Sequence, residues 1–440
     1  MTPTPGAGSL DDPYVPGRGG GGYDVTGYEL DLTYRVTTNL LTGQARITAV
    51  ATQDLSRFSL DLVGLRVQKV TVDGRPAKWD HRRAKLRVSP LTPIDDATAF
   101  AVDVTYSGNP RPTRSVWGGV GWEELTDGVL VASQPSGAPT WFPCNDHPSQ
   151  KAAFRVAVTA ASGYHVLANG ALSSGRVRGS QTTWVYDQPE PMAPYLATLQ
   201  IGRYDVVDVA ATPVAISAVL PPGRHAAFQV AFARQGQMMD VFVERFGPYP
   251  FEGGYQVVIV DDSLEIPLEA QGLSIFGTNH LDGASERLIA HELSHQWFGN
   301  SLTASRWRDI WLHEGFACYA EWIWSEDSGG PTADVLARGH HARLAGLPQD
   351  LVLGDPGPVD MFDDRVYKRG ALTLHALRRE MGDGPFFALL RRWVRDHQHG
   401  TVTTEDFVEL AEREAGHSLG ELFHHWLVAV ELPPLTTRAG

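Results

Sequence analysis

ASERLIAHELSHQWF, residues 284–298, reads as a helix that carries two histidines one turn apart. His291 and His295 are four positions apart, so about 40° of rotation and one turn of rise separate them. Both imidazoles can therefore reach one metal ion. Glu292 points to a neighbouring part of the same face, close enough to hold a water at that metal. A catalytic zinc takes three protein ligands and keeps a fourth position open. Glu314 follows after eighteen intervening residues and is placed to be the third ligand. Residues 296–313 are long enough to leave the first helix, cross a loop and enter a second one, expected over 309–325.

Upstream of this unit the pattern changes period. Tyr28, Leu30, Leu32, Tyr34 and Val36 alternate with polar residues, as do Phe58, Leu60 and Leu62. The same holds for Phe100 to Tyr106 and Phe154 to Val158, and Asp73-Gly74 between Val-rich runs reads as a hairpin turn. Helical periodicity begins near residue 225, where His225 to Phe246 runs into the stop signal Gly247-Pro248. YQVVIV (255–260) is a short buried strand, and further helices are expected from about residue 331 to 429. Three parts follow: a Gly- and Pro-rich segment over 1–22, expected to be poorly ordered until something packs on it; an all-β domain over 23–206; and a mostly α-helical catalytic domain over 207–440. The fold class is α+β multidomain.

Composition narrows the function. A net charge of −14 argues against nucleic acid and anionic membrane as partners, since both would be repelled. Two cysteines, Cys144 and Cys318, cannot make a disulfide framework and read as buried thiols. The first residues lack the apolar core of a signal peptide, and no apolar run is long enough to span a membrane. A cytoplasmic monomer is the expectation.

The blocks HELSHQWFGN (291–300), WLHEGFACYAEW (311–322), WFPCNDHP (141–148), LEAQGL (268–273), VYKRGAL (366–372) and FGPYPF (246–251) occur together in one order. In that order they resemble the alanyl/leucyl aminopeptidase family of gluzincin zinc peptidases, over nearly the whole chain. The resemblance implies an N-terminal β domain on a thermolysin-like catalytic domain, one Zn²⁺ per chain, and peptide substrates with a free N-terminus. Many members carry a further C-terminal helical domain; this chain resembles a short, two-domain form without it. The rival metzincin pattern fails, because Phe298 and Ser301 stand where it needs Gly and His.

The resemblance also assigns roles. His291, His295 and Glu314 bind zinc, and Glu292 is the general base toward a metal-activated water. Tyr367 matches the tyrosine that stabilises the oxyanion, although Lys368 stands after it where the family has Glu. Glu269 matches the glutamate that binds the substrate's α-ammonium, in a motif whose usual Gly, Met and Asn are replaced. Gln134 falls where relatives place a second contact to that amine. Asp309 reads either as a partner orienting a ligand histidine or as a helix N-cap. Three other readings stay open: a thermolysin-like endopeptidase, which would not need Glu269; another zinc hydrolase; and a non-catalytic, zinc-stabilised binding module.

Overall fold

The computed structural model describes residues 2–435. Alternation in the first half produces sheets. Tyr23–Arg35, Leu40–Ala51, Ala99–Gly108 and Ala152–Ala161 lie within one eight-stranded sheet, mostly antiparallel, with Ala152–Ala161 running parallel to Tyr23–Arg35. Their alternate residues Tyr28, Leu30, Leu32, Val102, Val104, Phe154 and Val156 are buried, as period-2 patterning requires. Asp73 and Gly74 both have positive φ (50° and 73°) and close a two-residue hairpin. A four-stranded and a five-stranded sheet complete this half, whose helical content before residue 225, among the described residues, is three short 3-10 turns.

The segment before Tyr23 is packed against both halves. Tyr14 and Val15 are buried, Asp12 accepts from the Trp307 amide at 3.2 Å, and Gly20 pairs with the Asn145 side chain at 2.8 Å. Glycine makes the packing possible. A Cβ on Gly20 would lie 2.7 Å from the Ser59 carbonyl oxygen. Its Gly and Pro richness marked this segment as loose until something packs on it, and the close approach of bare backbone is what pins it.

A second five-stranded sheet opens the other half, in the order Asp205–Ala210, Ile216–Leu220, Tyr255–Val260, Leu273–Gly277, Leu268–Ala270. Its three central strands are parallel, and Leu268–Ala270 is an antiparallel edge. The helices follow: α1 (His225–Ala231), α2 (Gln235–Phe246), α3 (Glu286–Ser294), α4 (Trp311–Asp327), α5 (Ala333–Ala345), α6 (Asp364–Met381), α7 (Asp383–His397) and α8 (Thr404–Ala415). The expected helix 225–246 is thus two, broken at residues 232–234. The helix expected over 309–325 starts two residues later, after a 3-10 turn at Trp307–Asp309.

α4 is buried along nearly its whole length, which fits its run of aromatic and small residues. It crosses α6 at a glycine pair. A Cβ built on Gly315 would lie 2.8 Å from Gly370 Cα, and one on Gly370 would lie 2.6 Å from Gly315 Cα. The two halves of the chain are bound through polar contacts as well. Lys151 Nζ donates to the Asn300, Ser301 and Gly400 carbonyls, and Tyr195 donates to the Gly299 carbonyl. No helix among the described residues is long and apolar enough to cross a membrane.

Candidate active site

α3, α4, α6 and the edge strand Leu268–Ala270 converge on one cleft. His291 and His295 leave α3 on the same side, with ring centroids 4.9 Å apart. Glu314, in the first turn of α4, brings Oε2 to 3.4 Å from His291 Nε2 and 3.6 Å from His295 Nε2. The potential ligand atoms of these three residues lie within 4.8 Å of one another, and all three residues are buried.

Two nitrogens and a carboxylate oxygen, with the imidazoles held from behind, suit zinc. His291 Nδ1 meets Glu321 Oε1 at 2.8 Å, and His295 Nδ1 meets the Phe298 carbonyl at 2.9 Å. In each ring Nδ1 is thereby engaged as a donor and Nε2 is turned toward Glu314. Glu292 Oε2 is buried with no hydrogen-bond partner among the described residues. An orphan carboxylate oxygen at this position is an unused proton acceptor.

Glu321 is the residue that the sequence reading missed. It lies seven positions after Glu314, which returns it to within about 20° of the same helix face. Asp309 was read either as such a partner or as a helix N-cap, and its contacts fit neither. Its Oδ1 accepts from Thr404 at 2.7 Å and its Oδ2 from Arg306 at 3.3 Å, and it caps no helix by its side chain. It sits in the 3-10 turn before α4, not on the helix that carries Glu314. His313 also turns away, its Nε2 accepting from the Ala304 amide at 2.7 Å.

The remaining expected residues gather around the same point. Glu269 offers a carboxylate oxygen within 4.8 Å of Glu292 and His295 donor atoms. Gln134, from the β half, donates to Glu269 Oε1 at 2.7 Å. Tyr367, in the first turn of α6, lies nearly parallel to the His291 ring with centroids 6.0 Å apart.

Charge in the cleft is unbalanced. Burial, and then Glu314 and Glu292, push Glu269 well above the usual carboxylate range. Burial raises Glu292 too, with Glu314 and Glu321 adding to it and His291 opposing. Burial would also raise Glu314, but His295 and His291 outweigh it and leave this carboxylate below its ordinary value. Burial acts against charge on Glu321 as well; His291, Lys368 and Arg287 overcome it and bring the group down to about 2. Tyr367 is raised well above 10 by burial and by Glu314, Glu269 and Glu292, so its hydroxyl keeps its proton. Three carboxylates share a small dehydrated space, and such a space favours cations.

An M1 zinc metallopeptidase from Deinococcus radiodurans, a glutamate-to-alanine mutant bound to a Tyr-Ser-Ala substrate, matches this fold with a TM-score of 0.90. The match is 30% identical and covers 98% of this chain and 100% of that one. The chain belongs to peptidase family M1. The family's catalytic domain, described as the peptidase family M1 domain, matches residues 230–426, and its N-terminal domain matches residues 25–196. Relatives include the leucyl aminopeptidase of Saccharolobus solfataricus, 23% identical over 93% of this chain and 54% of its own length. Another is a probable aminopeptidase 1 of Sulfurisphaera tokodaii, 24% identical over 88% of this chain and 51% of its own length. The chain spans about half the length of these two relatives.

Proposed function

We propose that this M1 chain is a zinc aminopeptidase that removes the N-terminal residue of peptides. The observation that carries the reading is the Gln134–Glu269 pair, which sets a carboxylate beside the metal-ligand cluster at the seam of the two halves. A substrate α-ammonium entering there neutralises a carboxylate that burial and its neighbours leave unfavourably charged. The scissile carbonyl, only a few bonds away, then falls beside His291, His295 and Glu314. The names of the relatives, and the peptide bound in the neighbouring structure, point the same way.

His291, His295 and Glu314 would hold the zinc, which when bound polarises the carbonyl and makes water a nucleophile near neutral pH. Glu292 takes the proton from the attacking water through its unpartnered oxygen and returns it to the departing amine. Tyr367 donates its hydroxyl to the developing oxyanion, and its retained proton suits that task. Glu321 fixes His291 in orientation.

The test is one peptide presented with a free and with an acetylated N-terminus to the zinc-loaded protein, followed by mass spectrometry. Stepwise N-terminal loss from the free form only is the expected result. Internal cleavage of both forms would make the chain an endopeptidase and remove the role given to Glu269. Cleavage of neither would overturn the peptidase reading.

A further inference from the structure

The loop that leaves α3, residues 296–301, links three parts of the molecule. Next to its own helix, the Phe298 carbonyl meets His295 Nδ1 at 2.9 Å, and the Asn300 amide donates to the His295 carbonyl at 3.0 Å. Toward the edge strand Leu268–Ala270, Asn300 Nδ2 and Gln296 Nε2 both donate to the Ala270 carbonyl, at 2.9 and 3.1 Å. The Gly272 amide donates in turn to Gln296 Oε1 at 2.8 Å. Ala270 directly follows Glu269, so the loop holds the backbone that carries that carboxylate. The third link comes from the β half. Lys151, the residue before the strand Ala152–Ala161, sets Nζ at 3.0 Å from the Asn300 carbonyl, 2.7 Å from that of Ser301 and 3.2 Å from that of Gly400.

An ammonium has three N–H donors and no acceptor, and three carbonyls from two loops use all of them. Such a tripod resists sliding of the two halves as well as their separation. The β half also carries Gln134, two residues beyond the strand Gly128–Ala132, and lays it on Glu269 at 2.7 Å. Two routes therefore run from the β half to Glu269. One is direct, through Gln134; the other passes behind it, through Lys151, Asn300 and Ala270. We propose that Lys151 is a positioning residue for the amine site, holding the two halves in the register at which Gln134 meets Glu269. Its role at the amine rests on the aminopeptidase reading; its hold on the seam does not. His295 takes its own contacts from within the turn that follows α3, so the ligand cluster keeps its shape without Lys151. Loss of the tripod falls on recognition of the substrate's first residue and spares the metal.

Lys151→Met keeps an apolar side chain of similar length and removes all three donors. In the zinc-loaded protein it should raise KM for a free N-terminal peptide about tenfold and narrow the preference over the acetylated form by a similar factor. Zinc should stay bound, and kcat should change by about twofold at most. Lys85→Met, which strands a buried partner within the β half, controls for lost stability and should leave KM and preference at parent values. Asn300→Ala cuts the loop from the edge strand and leaves Lys151 its carbonyls. It should raise KM as well, and Lys151→Met added to it should contribute only about twofold more. A parent-like KM in Lys151→Met, or full additivity of the two substitutions, would overturn the amine-site role. Hydrogen exchange without substrate reads the seam independently of activity. Amides in residues 268–273 and 299–304 should exchange about tenfold faster in Lys151→Met, with those of Tyr23–Arg35 unchanged. Parent-like exchange at both segments would overturn the hold on the seam. Faster exchange there, with a parent protein indifferent to acetylation, would sustain the hold and sink the aminopeptidase reading instead.

Discussion

The β half and the catalytic half both bury acidic groups, and they treat them in opposite ways. In the β half, Asp61 meets Lys85 at 2.7 Å and Asp146 meets Arg18 at 3.9 Å. Burial still raises both carboxylates, with the two cations opposing it. In the cleft, Glu269, Glu292 and Glu314 have no lysine or arginine in contact among the described residues; their nearest partners are histidines and Gln134. Where charge serves the architecture, the chain neutralises it internally. In the cleft the chain leaves charge short of positive partners, which on the proposed reading a dication and a substrate ammonium would supply.

Four substitutions probe this contrast. Glu292→Gln should lower kcat by up to about 10⁴-fold, because it removes the proton acceptor alone. Metal analysis should find zinc still bound, and a variant that kept substantial turnover would remove Glu292 from the mechanism. Lys85→Met should cost about 3–5 kcal/mol, since it strands buried Asp61 without its cation. Urea unfolding measures that loss, and turnover per folded molecule should stay at the parent value. Tyr367→Phe should cost about 3 kcal/mol of transition-state stabilisation, seen mainly in kcat. Glu269→Gln should raise KM for a free N-terminus by roughly tenfold and narrow the preference over acetylated peptide. An unchanged preference would mean that the unpaired charge of the cleft does not serve the substrate amine.

The cleft was more legible than its supports. His291 and His295 follow from helical spacing, and the strands around Tyr28, Phe100 and Phe154 from alternation, because each of these signals lies within a few residues; Glu314, after eighteen intervening residues, followed from its distance along the chain. Asp309 was singled out for its closeness in sequence to Glu314, whereas angular position on α4 selects Glu321. The Gln134–Glu269 contact joins residues 135 positions apart, so no local pattern contains it; a family block pointed to Glu269, and Gln134 was placed only by its distance from another block. The order of residues 2–22 was hidden for a related reason. It depends on how closely glycine backbone approaches the Ser59 and Asn145 region, and composition says nothing of that.

The glycine pair between α4 and α6 has a consequence for how finely the cleft is set. Gly315 directly follows Glu314, and Gly370 comes three residues after Tyr367. The spacing between the two helices, and with it the span from Glu314 to Tyr367, is gauged by two α-hydrogens. A methyl group at either position would act as a shim, thrusting one wall of the reaction chamber away from the other while the rest of the fold could still assemble. Such a molecule would be well built and badly aligned, which makes these two featureless residues the calibration of the machine.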